Sequence, residues 1–240
     1  MTVEESKTNE SEIKITCTWD EESNCIECEG ADKLLCKWDK KRIVKFYVIY
    51  FLFTFPSWYG LILLRYWAGI GVFALTYLVF TIAYFIFIEM YVLCSHCPYY
   101  SRKGKILYCQ SSKHGMPKIW EYKPGPLKIW EKIVTLTGML FFLLFPVITI
   151  SYGFSSLWNN ESAWNEGSYA MWKLIILLFL DILSVIFGFM FVIVLKKRFC
   201  SQCVNFSCPL NTVSKEFVDV YLKNNPVMKK AWEEAGYKIS

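Results

Sequence analysis

Ten cysteines carry the clearest chemical potential in this chain of 240 residues: Cys17, Cys25, Cys28, Cys36, Cys94, Cys97, Cys109, Cys200, Cys203 and Cys208. They fall into three groups. The first is a C-x2-C pair, Cys25 and Cys28, flanked symmetrically by Cys17 and Cys36, four thiols that suit one tetrahedral ion or one cluster. The second is Cys94, Cys97 and Cys109, with His96 inside the pair and His114 five residues beyond. The third is Cys200, Cys203 and Cys208. Ten cysteines and two histidines would fill three four-ligand sites, and a six-thiol site shared by the second and third groups is the alternative.

The candidate metals are iron-sulfur and zinc. Cys97 precedes Pro98 and Cys208 precedes Pro209, like the Cys-Pro ending of ferredoxin motifs, although the full C-x2-C-x2-C-x3-C-P spacing is missing. Zinc sites of four cysteines, or of three cysteines and a histidine, use the same C-x2-C units to staple loops that have little core of their own. An iron-sulfur cluster is slightly favoured, because thiols so close to a membrane suit electron transfer into or out of it. Zinc acting only as a staple carries nearly equal weight. A redox dithiol ranks lower, since its reactive thiolate normally sits at a helix N-terminus, whereas Cys94 and Cys200 are expected after helix C-termini, where the dipole is negative.

Elements must then be found that bring these groups together. With 55% hydrophobic, 18% aromatic and 20% charged residues, the chain is too apolar for an ordinary water-soluble domain. The run Ile43 to Leu93 spans 51 residues interrupted only by Lys45, Arg65 and Glu89. That is long enough for two membrane crossings of about 20 residues each. A break at Pro56 to Gly60 would leave unequal pieces, so the better break lies at Arg65 to Gly71. The spans are thus 43–64, 68–93, 133–154 and 171–195. The fold class is all-α integral membrane, with four transmembrane helices. Residues 1–42 form a Cys-rich N-terminal segment, 43–198 the membrane domain with a loop at 94–132, and 199–240 a Cys-rich C-terminal segment.

Orientation follows from the Lys and Arg of the short flanks. Lys37, Lys40, Lys41, Arg42 and Lys45 open span one, Arg102 to Lys128 fill the middle loop with seven more, and Lys196, Lys197 and Arg198 close span four. Against them stand Arg65 and Lys173 on the other side. The expectation is a multi-pass protein of the cell membrane with both termini, the middle loop and every cysteine in the cytosol, where thiols stay reduced and disulfides are disfavoured. No removable signal peptide is read in the polar segment from Met1 to Arg42. The net charge of +5 follows the spans and forms no stripe, so it points to the bilayer and away from nucleic acid.

The two halves look alike. Phe55-Pro56 in span one matches Phe145-Pro146 in span three, and Cys94-Ser95-His96-Cys97 after span two matches Cys200-Ser201-Gln202-Cys203 after span four. Two pseudo-repeated hairpins related by an axis along the membrane normal are therefore expected.

The remaining candidates are acids in the spans. Asp181 sits near the middle of span four, where an aspartate costs roughly 2.5 to 3.5 kcal/mol to insert. It suits a proton or ion path, or a helix-helix hydrogen bond with a neighbour such as Ser184. Glu89, five residues before Cys94, is a second candidate for that path or a support for the ligands. In the middle loop, Pro117, Pro124 and Pro126 form a stiff segment with Trp120 and Trp130 as surface anchors, or as a docking surface. The C-terminal segment reads as two short amphipathic helices, around Ser214 to Leu222 and from Pro226, stopped near Gly236.

Neither histidine can reach a span, which disfavours b-type haem. Walker, HExxH and Gly-x-Ser-x-Gly patterns are missing, so hydrolase and nucleotide-driven readings have no residues to carry them. Three functions stay open: an electron-transfer subunit of a membrane redox complex with a soluble or membrane partner, a zinc-braced transporter or channel-like protein using Asp181, and an enzyme acting on a lipid-soluble substrate.

Overall fold

The computed structural model of this chain describes residues 28–31, 33–36, 39–102, 104–109, 115–160, 164 and 167–240. Cys17, Cys25 and His114 lie outside them. Four helices are long and apolar enough to cross a membrane. Helix α1, Lys40–Ala68, opens where the Asp39 carboxylate accepts the Lys41 N–H at 2.9 Å. It ends at Gly69, whose φ of +68° is left-handed and whose N–H returns to the Leu64 carbonyl. Helix α2 starts two residues later, at Gly71. The break therefore falls inside Arg65 to Gly71, and Pro56 lies within α1 without ending it.

Helix α2, Gly71–Ala83, runs on through π-helical turns at Tyr84–Leu93 and a 3-10 turn at Cys94–His96. Helix α3 is Ile129–Trp158, with Pro146 inside, and α4 is Ser168–Val194, prolonged by a π turn at Leu195–Phe199 and a 3-10 turn at Cys200–Gln202. Three of the four rods outrun the spans read from hydropathy at both ends, because a helix can continue past its apolar run, and the second, Gly71–His96, is shifted toward the cysteines. Cys94 and Cys200 accordingly occupy the last turns of their rods and do not follow them, which corrects their expected position.

Helices α1 and α3 form the inner pair, and α2 and α4 each pack on both of them. Small residues permit the close approach that membrane helices need in the absence of a hydrophobic driving force between them. A Cβ on Gly60 would come within 2.5 Å of Ile150, and one on Gly153 would overlap the Leu64 side chain, so α1 and α3 touch at glycines on each. Hydroxyls tie the rest of the bundle: Tyr77 donates to the Phe142 carbonyl and Tyr84 to the Thr135 carbonyl, each at 3.0 Å, and Ser57 meets Ser184 at 3.3 Å. The outward faces carry exposed Val48, Phe51, Val79, Leu140, Ile148, Phe179 and Phe189, as a lipid-facing surface requires.

At the cysteine end a separate core forms. Helices α5, Lys215–Lys223, and α6, Pro226–Glu234, bury Val218, Tyr221, Leu222, Met228 and Trp232 against Leu34, Tyr99, Tyr100 and Leu107. Both helices fall where the sequence puts them, and Gly236 follows with φ +90°. Val227 is exposed and does not join Met228 and Trp232. Asn225 stands at the N-cap position of α6 but donates backwards, to the Tyr221 carbonyl at 2.8 Å. The all-α expectation also omits a small antiparallel ribbon, β1 Ile106–Leu107 with β2 Met116–Pro117.

The last residues are tied down by one buried carboxylate. Asp219 accepts from Lys215 Nζ at 2.6 Å, Tyr237 OH at 2.9 Å and the Ser240 N–H at 3.0 Å. Burial would raise its pKa, but these donors outweigh burial and hold it at about 2. A depressed pKa contributes stability above the ordinary carboxylate value and loses it as pH falls through the folded value. The tie to Tyr237 and Ser240 is thus expected to survive at pH 4 and to release near pH 2, read by protease cleavage after Trp232. Release at pH 4 would contradict the assignment, and Asp219→Asn should loosen the segment at every pH.

Candidate functional site at the cysteine end

The described cysteines gather in one layer beneath the bundle. Cys97 and Cys109 are buried in the terminal core, and Cys28, Cys36 and Cys94 pack against it. The third group joins them: Cys97 lies within electrostatic reach of Cys203, Cys109 and Cys208, and Cys203 within reach of Cys109. Cys208 is in turn influenced by Cys203, Cys200 and Glu89, so the second and third groups meet although Cys109, the last of one, and Cys200, the first of the other, lie far apart in sequence. Hydrogen bonds stitch the segments together. Asn205 Nδ2 donates to the Leu93 carbonyl at 2.9 Å, and the Leu35 N–H to the Gln202 carbonyl at 2.8 Å. Tyr99 OH donates to the Leu35 carbonyl.

The backbones around the two Cys-Ser-x-Cys motifs correspond closely. A π turn leads into each. Cys94 has φ -71° and ψ -34°, and Cys200 has φ -70° and ψ -27°. Three residues on, Cys97 turns to φ -79°, ψ 133° and Cys203 to φ -74°, ψ 130°. Ser95 and Ser201 each donate to the carbonyl four residues back, Tyr91 and Lys197. The Cys97 and Cys203 amides close the turns on the Cys94 and Cys200 carbonyls. Extra residues in π turns are common where a helix end serves a site.

Burial, reinforced by Cys203, pushes the Cys97 thiol well above its usual range, and burial likewise raises Cys203. Burial and then the Cys203 charge push Cys208 up to about 12. Thiols so placed are protonated and poorly nucleophilic at neutral pH, which argues against free dithiol exchange. A cation held among them would reverse that preference. Among the described residues, no three His, Cys, Asp or Glu side chains already converge closely enough to hold a metal ion.

A polar cluster unforeseen from the sequence supports the Cys94–Cys97 turn. His96 Nδ1 donates to the Gly125 carbonyl at 2.7 Å, and its Nε2 lies 3.6 Å from Glu131 Oε1. Glu131 Oε2 accepts the Lys128 N–H at 2.7 Å, fixing the start of α3. The proline-rich segment wraps the same turn: the Lys123 N–H donates to the Ser95 carbonyl at 2.8 Å, and Trp232 Nε1 to the Pro124 carbonyl at 3.1 Å. Trp120 packs edge-on to Tyr91 at 5.0 Å, while Trp130 stays exposed. An acid three residues after the residue preceding a helix is a recognisable start signal, and Glu131 could have been found by it.

The two acids in the apolar helices make different contacts. Ser151 Oγ on α3 donates to Asp181 Oδ2 at 2.6 Å, while Ser184, the expected neighbour, bonds instead to Ser57 and the Leu180 carbonyl. Glu89 lies in the π turn above the cysteines, within electrostatic reach of Cys208. Comparison with known protein families, curated proteins and solved structures finds no match to this chain.

Proposed function

We propose that this chain is an integral membrane metalloprotein whose cysteine layer faces the cytosol and holds Cys-ligated metal, iron-sulfur in preference to zinc. It serves as an electron-transfer subunit of a membrane redox complex, with a soluble or membrane protein as its partner. The observation that carries this reading is that Cys94, Cys97 and Cys109 lie in one network of electrostatic reach with Cys203 and Cys208, at the same end of the bundle. Neutral thiols pack as small apolar groups, but two C-x2-C pairs brought together from distant segments suit metal ligation, which neutralises thiolates and cross-links loops. Orientation rests on the Lys and Arg asymmetry of the flanks. The matching turns around the two Cys-Ser-x-Cys motifs support an internal duplication of the hairpins. The Ser151 bond favours a helix-joining role for Asp181.

Anaerobic purification tests the proposal. A brown protein with stoichiometric iron and visible absorbance that bleaches on reduction is the expected result. A colourless protein with zinc alone would remove the redox role and leave the metal, and a protein with neither would overturn both. On sealed cells an impermeant maleimide should leave the cysteines untouched, whereas permeabilised, metal-stripped protein should label. Modification of Cys97 or Cys203 from outside would reverse the orientation.

A further inference from the structure

We propose that the cleft between the start of α1 and the end of α4 binds the phosphate of an anionic phospholipid. The cleft encloses about 760 Å³ and lies where both helices reach the cysteine end of the bundle. Lys41, Arg42, Lys45, Lys197 and Arg198 line it, and among the described residues Asp39 supplies the opposing carboxylate. That carboxylate is engaged at the α1 N-terminus, where it accepts the Lys41 N–H. Beyond the cations the lining turns apolar, with Val44, Val48, Ile49 and Val194. Val44 and Val48 are half-exposed on the face that meets lipid.

Arg42 gives the cleft a specific donor as well as charge. Its Nη1 donates to Gln202 Oε1 at 2.7 Å, and its guanidinium lies 5.1 Å from the centre of the Phe199 ring. Its Nε and Nη2 are closed off and have no hydrogen-bond partner among the described residues, so a phosphate engages them by turning the side chain toward the cleft. Buried donors of a charged group are costly to leave unsatisfied, and a guanidinium fork matches two phosphate oxygens. The positive end of the α1 dipole adds to the same field. Basic pockets between membrane helices at the headgroup level bind anionic lipids in this way, and the valines below offer a path for an acyl chain. A free phosphate would satisfy the cations but leave that apolar surface uncovered. The inference requires the bundle to sit in a bilayer, and because Arg42 lies within electrostatic reach of Cys203 the titrations are compared at equal metal content.

The test is native mass spectrometry of the full chain in neutral detergent, titrated separately with phosphatidylglycerol, phosphatidylcholine and inorganic phosphate. One phosphatidylglycerol should be retained per chain and resist displacement by excess inorganic phosphate, with phosphatidylcholine bound at least about ten-fold more weakly. Arg42→Gln and the Lys197→Gln, Arg198→Gln pair should each weaken phosphatidylglycerol by about ten-fold, as expected for a lost charge-assisted contact. Lys173→Gln, at the other end of α4, should change nothing. Val48→Trp fills the apolar part of the cleft from the lipid side, outside the bundle core, and should block binding even if Arg42→Gln misfolds. Equal retention of the two lipids, displacement by inorganic phosphate, or full binding in both the Lys197/Arg198 and Val48 variants would overturn the proposal.

Discussion

With metal held by the cysteines as proposed, replacing Cys203 by Ser is expected to strip most of it and to loosen the first hairpin as well as the second. Cys203 lies within electrostatic reach of Cys97 and Cys109, so its loss removes a thiol shared between segments that sequence keeps far apart. Serine is nearly isosteric and forces no overpacking, so any large change traces to ligation. Structural zinc sites contribute on the order of 10 kcal/mol of apparent binding energy, much of it folding energy. The loop from Cys94 to Lys128 should therefore become open to protease in the variant. Asp181→Asn supplies the contrast: nineteen residues, about 28 Å of helix rise, separate it from Cys200, and its metal content should equal that of the unmodified protein. Full occupancy in the first variant, or metal loss in the second, would sink the shared assembly.

The largest effect on the bundle itself is expected at Gly138. A Cβ there would fall inside the volume of the Tyr84 ring, against its Cε2 and Cδ2. Tyr84 is 3% exposed, and its hydroxyl is spent on the Thr135 carbonyl, so the ring cannot swing away without breaking that bond. Gly138→Val should cost about 2 to 4 kcal/mol, combining overpacking with the lost hydrogen bond. Thermal unfolding in detergent would measure it, and Tyr84→Ala should cost less in the Gly138→Val background than alone. Additive losses would show that the two residues do not meet. Because Tyr84 opens the π turns that lead to Cys94, the double variant also tests whether this packing sets the approach to the cysteines.

The four helices were legible because hydropathy acts over long windows, and the break at Gly69 was legible because any earlier break leaves a second helix that overruns the bilayer. The terminal helices were legible from local signals, namely Pro226 and Gly236. The π turns were not, since the surplus residue in each is accommodated by neighbours distant in sequence. The ribbon of Ile106–Leu107 with Met116–Pro117 was hidden by its length, which is too short for any period to register. Among the site residues, the cysteines announced themselves by spacing, but their meeting did not. That depends on Asn205 finding the Leu93 carbonyl and Leu35 finding Gln202. Arg42 read as one more orienting cation, and the bond to Gln202 and the contact with the Phe199 ring distinguish it from Lys41.

The layer of thiols is assembled from segments that precede the first span and follow the second and the last, with residues 28–36, 94–109 and 200–208 all contributing. Synthesis delivers them in that order, and the earlier two must wait for the third until α4 has been made. A chain stalled after three crossings would hold Cys94, Cys97 and Cys109 with their counterparts still on the ribosome. Joining of the groups at 94–109 and 200–208 therefore reports that the whole bundle has been made, since the second group lies beyond the last long helix.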